Sequence, residues 1–441
     1  MNPNLKEYGV FMDVARKYYS PKELIRLFDI MKDLGLNTFT LHFSEDIGLG
    51  LQCPAYDWLA GRDGILCTHR EVGTVFPGTE FLTVEDLKVL IKAANERGIE
   101  IIPSFDSPGH LNYTVKKFHE RVAEKGEVSF TFEGSTYACR LVDGTYRFFK
   151  NGIDLEYPAE TSGVYGIASF YTTGGLVSRV KGTNNNDYSR GIDLANEVAV
   201  AFIRSILQSF GALFLDLGCT KIDLGADELL GFAPAAVPLD QLTRWQQLDS
   251  WKQKAQEITG LKTAVAYDLF VLYNNMLRKQ MLDLGYTSIR IWNDEFRRTF
   301  DTDWNTDPAQ HVQYDPDFIV EYWSSMPTYE SPCSLADQGF KLISADATHS
   351  YYVLTDEARG ENPTKYLEAT PKVIAAEWTP YVFGPFTNGA PDEGWALNTQ
   401  KQQDQVIGAM FCIWSDLPII RTDAEVVDEL KPILEAWSKK L

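Results

Sequence analysis

The stretch GVFMDVARKYYSPKELIRLFDIMKDLGLNTFTLHF, Gly9 to Phe43, holds one complete structural repeat. Two apolar runs of strand length, 9–14 and 37–43, flank a helical pattern over 21–34. The helix has a clear start: Ser20 stands at the N-cap, Pro21 at the first helical position and Glu23 two residues further on. The same alternation continues outward to the C-terminus. Further strands are expected at 100–105, 221–226, 288–293, 318–323, 341–344 and 407–414, and further helices at 84–97, 194–214, 264–284 and 422–439. In the second helix, which follows Thr83 and closes at Arg97-Gly98, Leu87, Leu90, Ile91 and Ala94 recur at three and four residues and mark one buried face. Eight strands separated by helices point to a closed parallel barrel, a (β/α)8 TIM barrel with long loop insertions. The runner-up, a doubly wound open sheet, lacks a glycine fingerprint after its first strand. The whole chain, 1–441, reads as a single barrel domain with insertions at about 111–190 and 229–260. The first contains alternating segments at 128–132 and 146–149 and a polar stretch at 181–189, so it reads as a strand-rich excursion that shapes specificity.

In a barrel the reactive groups come from the C-terminal ends of the strands. Here those ends read Asp13-Val14-Ala15-Arg16, His42-Phe43-Ser44-Glu45-Asp46, Asp106-Ser107-Pro108-Gly109-His110, Ala226-Asp227-Glu228, Trp292-Asn293-Asp294, Trp323, and Trp414-Ser415-Asp416. Asp346, His349, Tyr351 and Tyr352 follow the seventh strand. One face of the barrel therefore gathers carboxylates, an arginine and three tryptophans. Flat aromatic walls with polar groups between them suit a sugar ring, whose apolar faces stack and whose hydroxyls bond.

The net charge of −20, with 44% hydrophobic and 23% charged residues, belongs to a large globular core and disfavours nucleic acid and anionic membranes as partners. The six cysteines, Cys53, Cys67, Cys139, Cys219, Cys333 and Cys412, form no C-x-x-C pair. Cys219 and Cys412 read as buried small hydrophobes, and disulfides among the others stay open. The N-terminus shows no signal-peptide pattern and no run of 18 apolar residues is present, so no membrane span is expected. A native start at Met1 implies the cytoplasm, an excised or signal-stripped module the extracellular space. The oligomeric state is not readable. The few histidines lack H-E-x-x-H or comparable spacing, so neither metal nor organic cofactor is expected.

Five of these pieces, in order and at barrel spacing, resemble the motifs of glycoside hydrolase family 20, the β-N-acetylhexosaminidases. They are D-V-A-R-K-Y-Y-S-P (Asp13 to Pro21), L-H-F-S-E-D (Leu41 to Asp46), I-P-S-F-D-S-P-G-H (Ile102 to His110), I-D-L-G-A-D-E (Ile222 to Glu228) and W-x-D-x-P (Trp414 to Pro418). The likeness runs from Tyr8 to about Trp414 and is greatest to the catalytic modules of streptococcal surface exo-β-N-acetylglucosaminidases. The resemblance implies a retaining exo-hydrolase that releases terminal β-linked GlcNAc or GalNAc from N-acetylated glycans. Adjacent acids cannot flank a scissile bond as acid and nucleophile, so the sugar's own 2-acetamido oxygen would attack C1 and form an oxazolinium ion. The resemblance then makes Glu228 the general acid and base, Asp227 the ionised partner of the acetamido N–H, and Tyr352 the holder of the acetamido oxygen. It makes Arg16 a grip on the sugar hydroxyls and Trp292, Trp323 and Trp414 the pocket walls, with Asp294 and Asp416 as further sugar contacts. His110 and Glu45 read equally as sugar contacts or as a buried network behind Asp227. Two departures bear on specificity: Asp416 replaces a common Glu, and Tyr352-Val353-Leu354 stands where many members have Y-L-D. Alternative readings are a lacto-N-biosidase that releases a disaccharide and a non-catalytic carbohydrate-binding barrel.

Overall fold

A computed structural model describes residues 5–62, 80–157, 191–228, 249–294, 296, 312–324, 329–347, 349–354, 378–384, 386–387, 390–391, 395–416, 418 and 421–441. The calls at 158–190, including the polar 181–189 stretch, and at 229–248 lie outside these residues, as does Cys67. Eight strands form the barrel: β1 (Glu7–Asp13), β2 (Thr38–His42), β3 (Glu100–Ser104), β4 (Lys221–Asp223), β5 (Ser288–Trp292), β6 (Ile319–Tyr322), β7 (Lys341–Ser344) and β8 (Val406–Trp414). Neighbours in chain order pair in parallel, and β1 pairs with β8 from Glu7↔Gly408 to Met12↔Ile413, which closes the ring. All eight fall where the apolar runs predict them. β8 (VIGAMFCIW) is apolar at nearly every position because apolar side chains meet it on both faces, whereas β2 (TFTLH), β5 (SIRIW) and β6 (IVEY) set polar residues among apolar ones and turn Arg290 and Glu321 into the interior. A short ninth strand, Tyr351–Val353, lies parallel against Cys412–Trp414 at the top of β8.

The surrounding helices include α1 (Pro21–Asp33), α2 (Val84–Asn95), α3 (Asn112–Lys125), α4 (Glu197–Asp216), α5 (Asp249–Thr259), α6 (Ala266–Leu284), α7 (Pro332–Gln338) and, after a single turn at Gln400–Gln403, α8 (Asp423–Ser438). Thr83 and Asp86 close a capping box on α2, whose buried residues include Leu87, Leu90, Ile91 and Ala94. Ser20 does not cap α1: its hydroxyl donates to Asp423 Oδ2 at 2.7 Å and so ties α1 to α8. Among the described residues one helix, α4, is long and apolar enough to cross a membrane by length and composition, with a mean hydropathy of 1.8 over its most apolar window. Here it is a barrel helix. Phe210 and Phe214 lie 4.7 and 5.8 Å from Phe43, between ring centroids, and the Tyr286 hydroxyl donates to Gly211 O at 3.0 Å.

The first insertion opens with a helix, α3, for which the sequence reading named no element, and the alternating segments at 128–132 and 146–149 are strands as expected. After α3 the insertion runs through a four-stranded antiparallel sheet made of Glu127–Phe132, Ser135–Val142, Thr145–Lys150 and Ile153–Asp154. The sheet's inner face, with Val128, Phe130, Cys139 and Phe148, packs toward Phe118 of α3 and Phe202 of α4. Cys53, Cys139, Cys219, Cys333 and Cys412 carry free thiols.

The barrel interior is divided. Phe11, Trp292, Ile343, Met410 and Cys412 belong to an apolar cluster on the β1, β5, β7 and β8 side. A column of polar groups fills the rest. At its base Lys221 bonds Glu7 at 2.9 Å and pairs with Glu100 at 2.7 Å, while Arg290 pairs with Glu7 and, at 3.1 Å, with Glu321. Higher up, the Ser104 hydroxyl donates to Asp223 Oδ2 at 2.5 Å. The column ends in a pocket at the C-terminal ends of the strands.

Candidate active site

The pocket has a volume of about 160 Å³. That is room for roughly ten water-sized spheres, the scale of one substituted sugar ring. Its acidic floor comes from the end of β4. Gly225 (φ 68°), Ala226 (φ 71°) and Glu228 (φ 43°) all adopt left-handed backbone, which turns the chain sharply and presents Asp227 and Glu228 to the cavity. Only glycine fits at 225, because a Cβ there would stand 2.2 Å from Asp106 Oδ1. Left-handed backbone at Ala226 and Glu228 costs on the order of 1–3 kcal/mol each and persists only where the surroundings enforce it.

Behind the acids stands His110. Its Nδ1 lies 3.0 Å from Glu45 Oε2, and its Nε2 lies 3.5 Å from Asp227 Oδ2 and 3.6 Å from Glu228 Oε2. Burial opposes a charge on this ring, but Glu45 and then Asp227 hold its pKa well above the usual histidine range and so favour its charged form. Burial pushes the Asp227 carboxyl up to about 6, with the Glu228 charge adding to the rise and His110 opposing it. Burial pushes Glu45 in the same direction, yet Arg16 and then His110 hold it well below the usual carboxylate range.

Arg16 forms the opposite wall. It pairs with Glu45, with Asp13 at 3.0 Å and with Asp416 at 3.4 Å, and its guanidinium carbon lies 5.5 Å from the Trp414 ring centroid. The aromatic walls are Trp292, Trp414 and Trp323, with Trp323 stacked on Tyr351 at 6.0 Å and 11°. Trp292 and Trp414 lie 6.2 Å apart at 43°.

Of the residues expected from the sequence, Asp227, Glu228, Arg16, His110, Trp292, Trp323, Trp414 and Asp416 meet around this cavity. Tyr352 does not. Its hydroxyl donates to Glu429 of α8, on the outside of the barrel, while Tyr351 and Val353 line the pocket. Adjacent residues of a strand face opposite sides, so choosing the second of two tyrosines reverses the face. The register was the missing signal: Tyr351 pairs with Cys412 and Val353 with Trp414, both of the inner cluster. Asp294 is also displaced. It is fully buried, accepts the Trp323 indole N–H and is not among the residues that line the pocket. Glu45 lines the cavity as well as supporting His110. Among the described residues of the first insertion, none lines the pocket.

Two groups, His42 with Glu45 and Asp106, and Glu45 with Asp46 and His110, lie close enough to hold a metal ion. Both share Glu45, which already pairs with Arg16 and with the favoured charged form of His110, so an added cation would meet two others.

The model of the family "Glycosyl hydrolase family 20, catalytic domain" matches residues 8–436. The chain is 28% identical to a β-hexosaminidase of Vibrio furnissii over 33% of this chain and 25% of that protein. It is 22% identical to a lacto-N-biosidase of Bifidobacterium bifidum over 79% of this chain and 22% of that protein. The chain thus spans a quarter or less of the length of these curated relatives. Among solved structures, the pneumococcal virulence factor StrH superposes with a TM-score of 0.61 at 18% identity, covering 99% of this chain and 82% of that one. Dispersin B superposes with a TM-score of 0.60 at 18% identity, covering 99% of both chains. At such identity the superpositions show a shared fold. The family model spans the barrel from β1 into α8, and the chain belongs to glycosyl hydrolase family 20.

Proposed function

We propose that this barrel is a retaining exo-β-N-acetylhexosaminidase that removes terminal β-linked GlcNAc or GalNAc with help from the substrate's own acetamido group. The observation that carries the reading is the placement of Asp227 and Glu228. Both face one nitrogen of His110, at 3.5 and 3.6 Å, and so share one side of the cavity. Acids on one side cannot act as general acid and opposing nucleophile. The substrate's acetamido oxygen can attack C1 instead.

Glu228 then gives its proton to the leaving oxygen and later takes one from water. Asp227, ionised above about pH 6, orients the acetamido N–H and stabilises the ring as it gains positive charge. Tyr351, which lines the pocket with Trp292, Trp323 and Trp414, takes the role of holding the acetamido oxygen in this reading. Arg16, fixed by three carboxylates, offers its remaining donors to sugar hydroxyls. The aromatic walls exclude water and strengthen each of these interactions.

Hydrolysis of chromogenic β-GlcNAc with almost none of the matching β-glucoside is the expected result. A thiazoline mimic of the oxazolinium should inhibit far more tightly than GlcNAc. Efficient β-glucoside cleavage, or a sugar adduct trapped on a carboxylate, would overturn substrate assistance. Binding of GlcNAc without turnover would favour a binding barrel. The alignment with the lacto-N-biosidase over most of the chain supports a second reading, disaccharide release, which product analysis on lacto-N-tetraose distinguishes.

A further inference from the structure

His42, at the end of β2, is fully buried and has no part in the chemistry just described. Its Nδ1 lies 2.9 Å from Ser104 Oγ. The Ser104 hydroxyl has a single proton and donates it to Asp223 Oδ2, so toward His42 its oxygen accepts. Nδ1 must therefore carry a proton. The other nitrogen, Nε2, lies 3.5 Å from Asp106 Oδ2 and 3.6 Å from Glu45 Oε1, close to both carboxylates but too far for a well-formed hydrogen bond with either, and Asp106 Oδ1 has no partner among the described residues. A bare nitrogen lone pair pointed at two carboxylates in a dry interior is repulsive on every side.

Among the described residues, the charged groups facing this point come from the ends of three neighbouring strands. Glu45 comes from the loop after β2, Asp106 and His110 follow β3, and Asp223 and Asp227 belong to β4 and its end. Around the rest of the His42 ring lie Phe11 at 4.8 Å and Trp414 at 5.5 Å. Glu45 is committed to Arg16 and His110. The available site for a proton is the gap between His42 and Asp106.

We propose that His42 and Asp106 hold one proton between them, and that His42 is thereby a positioning residue that leaves Asp227 as the ionised acid of the pocket. The pair then carries no net charge, whichever partner the proton sits on. Burial and the Asp227 charge both push the Asp106 carboxyl well above the usual range, in keeping with an acid that does not ionise alone. Without His42, Asp106 and Asp227 become two coupled carboxylates that share one proton, and part of the enzyme carries it on Asp227.

The kinetic consequence rests on the hydrolase reading above. His42→Asn keeps a donor toward Ser104 and removes the nitrogen facing Asp106. It should raise the acid limb of kcat/KM by about one pH unit. His42→Gln, which restores a neutral donor toward Asp106, should return part of that shift. Adding Asp106→Asn to His42→Asn should return most of it, an outcome that a merely structural role for His42 would not give. An acid limb that stays put in His42→Asn, or that stays displaced in the double variant, overturns the proposal. So does activity lost to a chelator and restored by a divalent cation, which would place a metal in the gap.

Nitrogen NMR of labelled histidines in the wild-type protein tests the same point without any turnover. The chain has six, and His42 is assigned by its absence in His42→Asn. A protonated Nδ1 and an Nε2 in a strong hydrogen bond are expected. A bare Nδ1 overturns the proposal. A wild-type protein that hydrolyses no β-GlcNAc would sink the hydrolase reading and leave the NMR result to decide this one.

Discussion

The polar column has two ends, and they treat buried charge differently. At the base, Arg290 sits between Glu7 and Glu321, with Lys221 binding Glu7 and Glu100, so cations and acids alternate. At the top, Glu45, Asp227 and Glu228 gather around Arg16 and His110 and line an open pocket. The base holds the sheet together by pairing. The top holds acids in a cavity that a ligand must complete. Each end sets three acids against two cations, so a site built for chemistry is recognised here by the cavity its acids face rather than by the charge it holds.

That contrast can be tested by removing one charge at a time. The largest effect is expected from Glu228→Gln, which should lower turnover on natural glycans by about 10²–10⁴-fold, because an amide cannot donate the proton. Substrates with activated leaving groups should be partly spared, and equal losses on both kinds would count against the acid role. Next comes Arg290→Met at the base. It strands Glu7 and Glu321 in the interior and should destabilise the fold by about 3–5 kcal/mol in denaturant titrations, while the molecules that stay folded keep their kcat. A base without structural importance would show no such loss.

Asp227→Asn should behave in the opposite way. The folded state holds this carboxyl's pKa at about 6, above its unfolded value, so the native protein binds the proton more tightly. Its contribution is favourable at low pH and is lost as pH rises through about 6. Removing the charge should therefore raise stability at neutral pH by on the order of 1–3 kcal/mol while activity disappears. A variant less stable than wild type at pH 7 would show that the Asp227 charge is fully compensated. Arg16→Ala is the mildest case. A KM increased about tenfold with kcat little changed is the expected pattern for a lost hydroxyl grip, and unchanged constants would remove Arg16 from the sugar site.

The barrel was legible because its signal is long-wave. Each strand is a short run carrying apolar residues between helices, so errors of a residue or two leave the topology intact, as at β4, expected over 221–226 and found over Lys221–Asp223. The site was legible where a single residue ends a strand, as with Trp292 or Asp227. It failed where the answer depended on parity. Tyr351 and Tyr352 are the same residue type one position apart, and only pairing with β8 decides which faces inward. Asp294 failed for another reason: a carboxylate at a strand end can face the cavity or the back of a tryptophan, and the sequence is the same in either case. The His42–Asp106 contact joins neighbouring strands of the expected barrel, and what the sequence leaves open is which of their side chains meet.

The closing seam of the barrel has a kinetic consequence. Ser415 N donates to Asp13 Oδ2 at 3.0 Å across 402 residues of chain, next to the pair that orients Arg16. Contacts of such separation form late, because a large loop must lose its entropy first. Until β8 docks, β1 presents an unpaired parallel edge open to other chains. Arg16 therefore acquires its final orientation in the pocket in the same event that removes this edge. Recovery of ligand binding during refolding should report completion of the ring itself, lagging behind any probe placed within the β2–β3 or β5–β6 pairs.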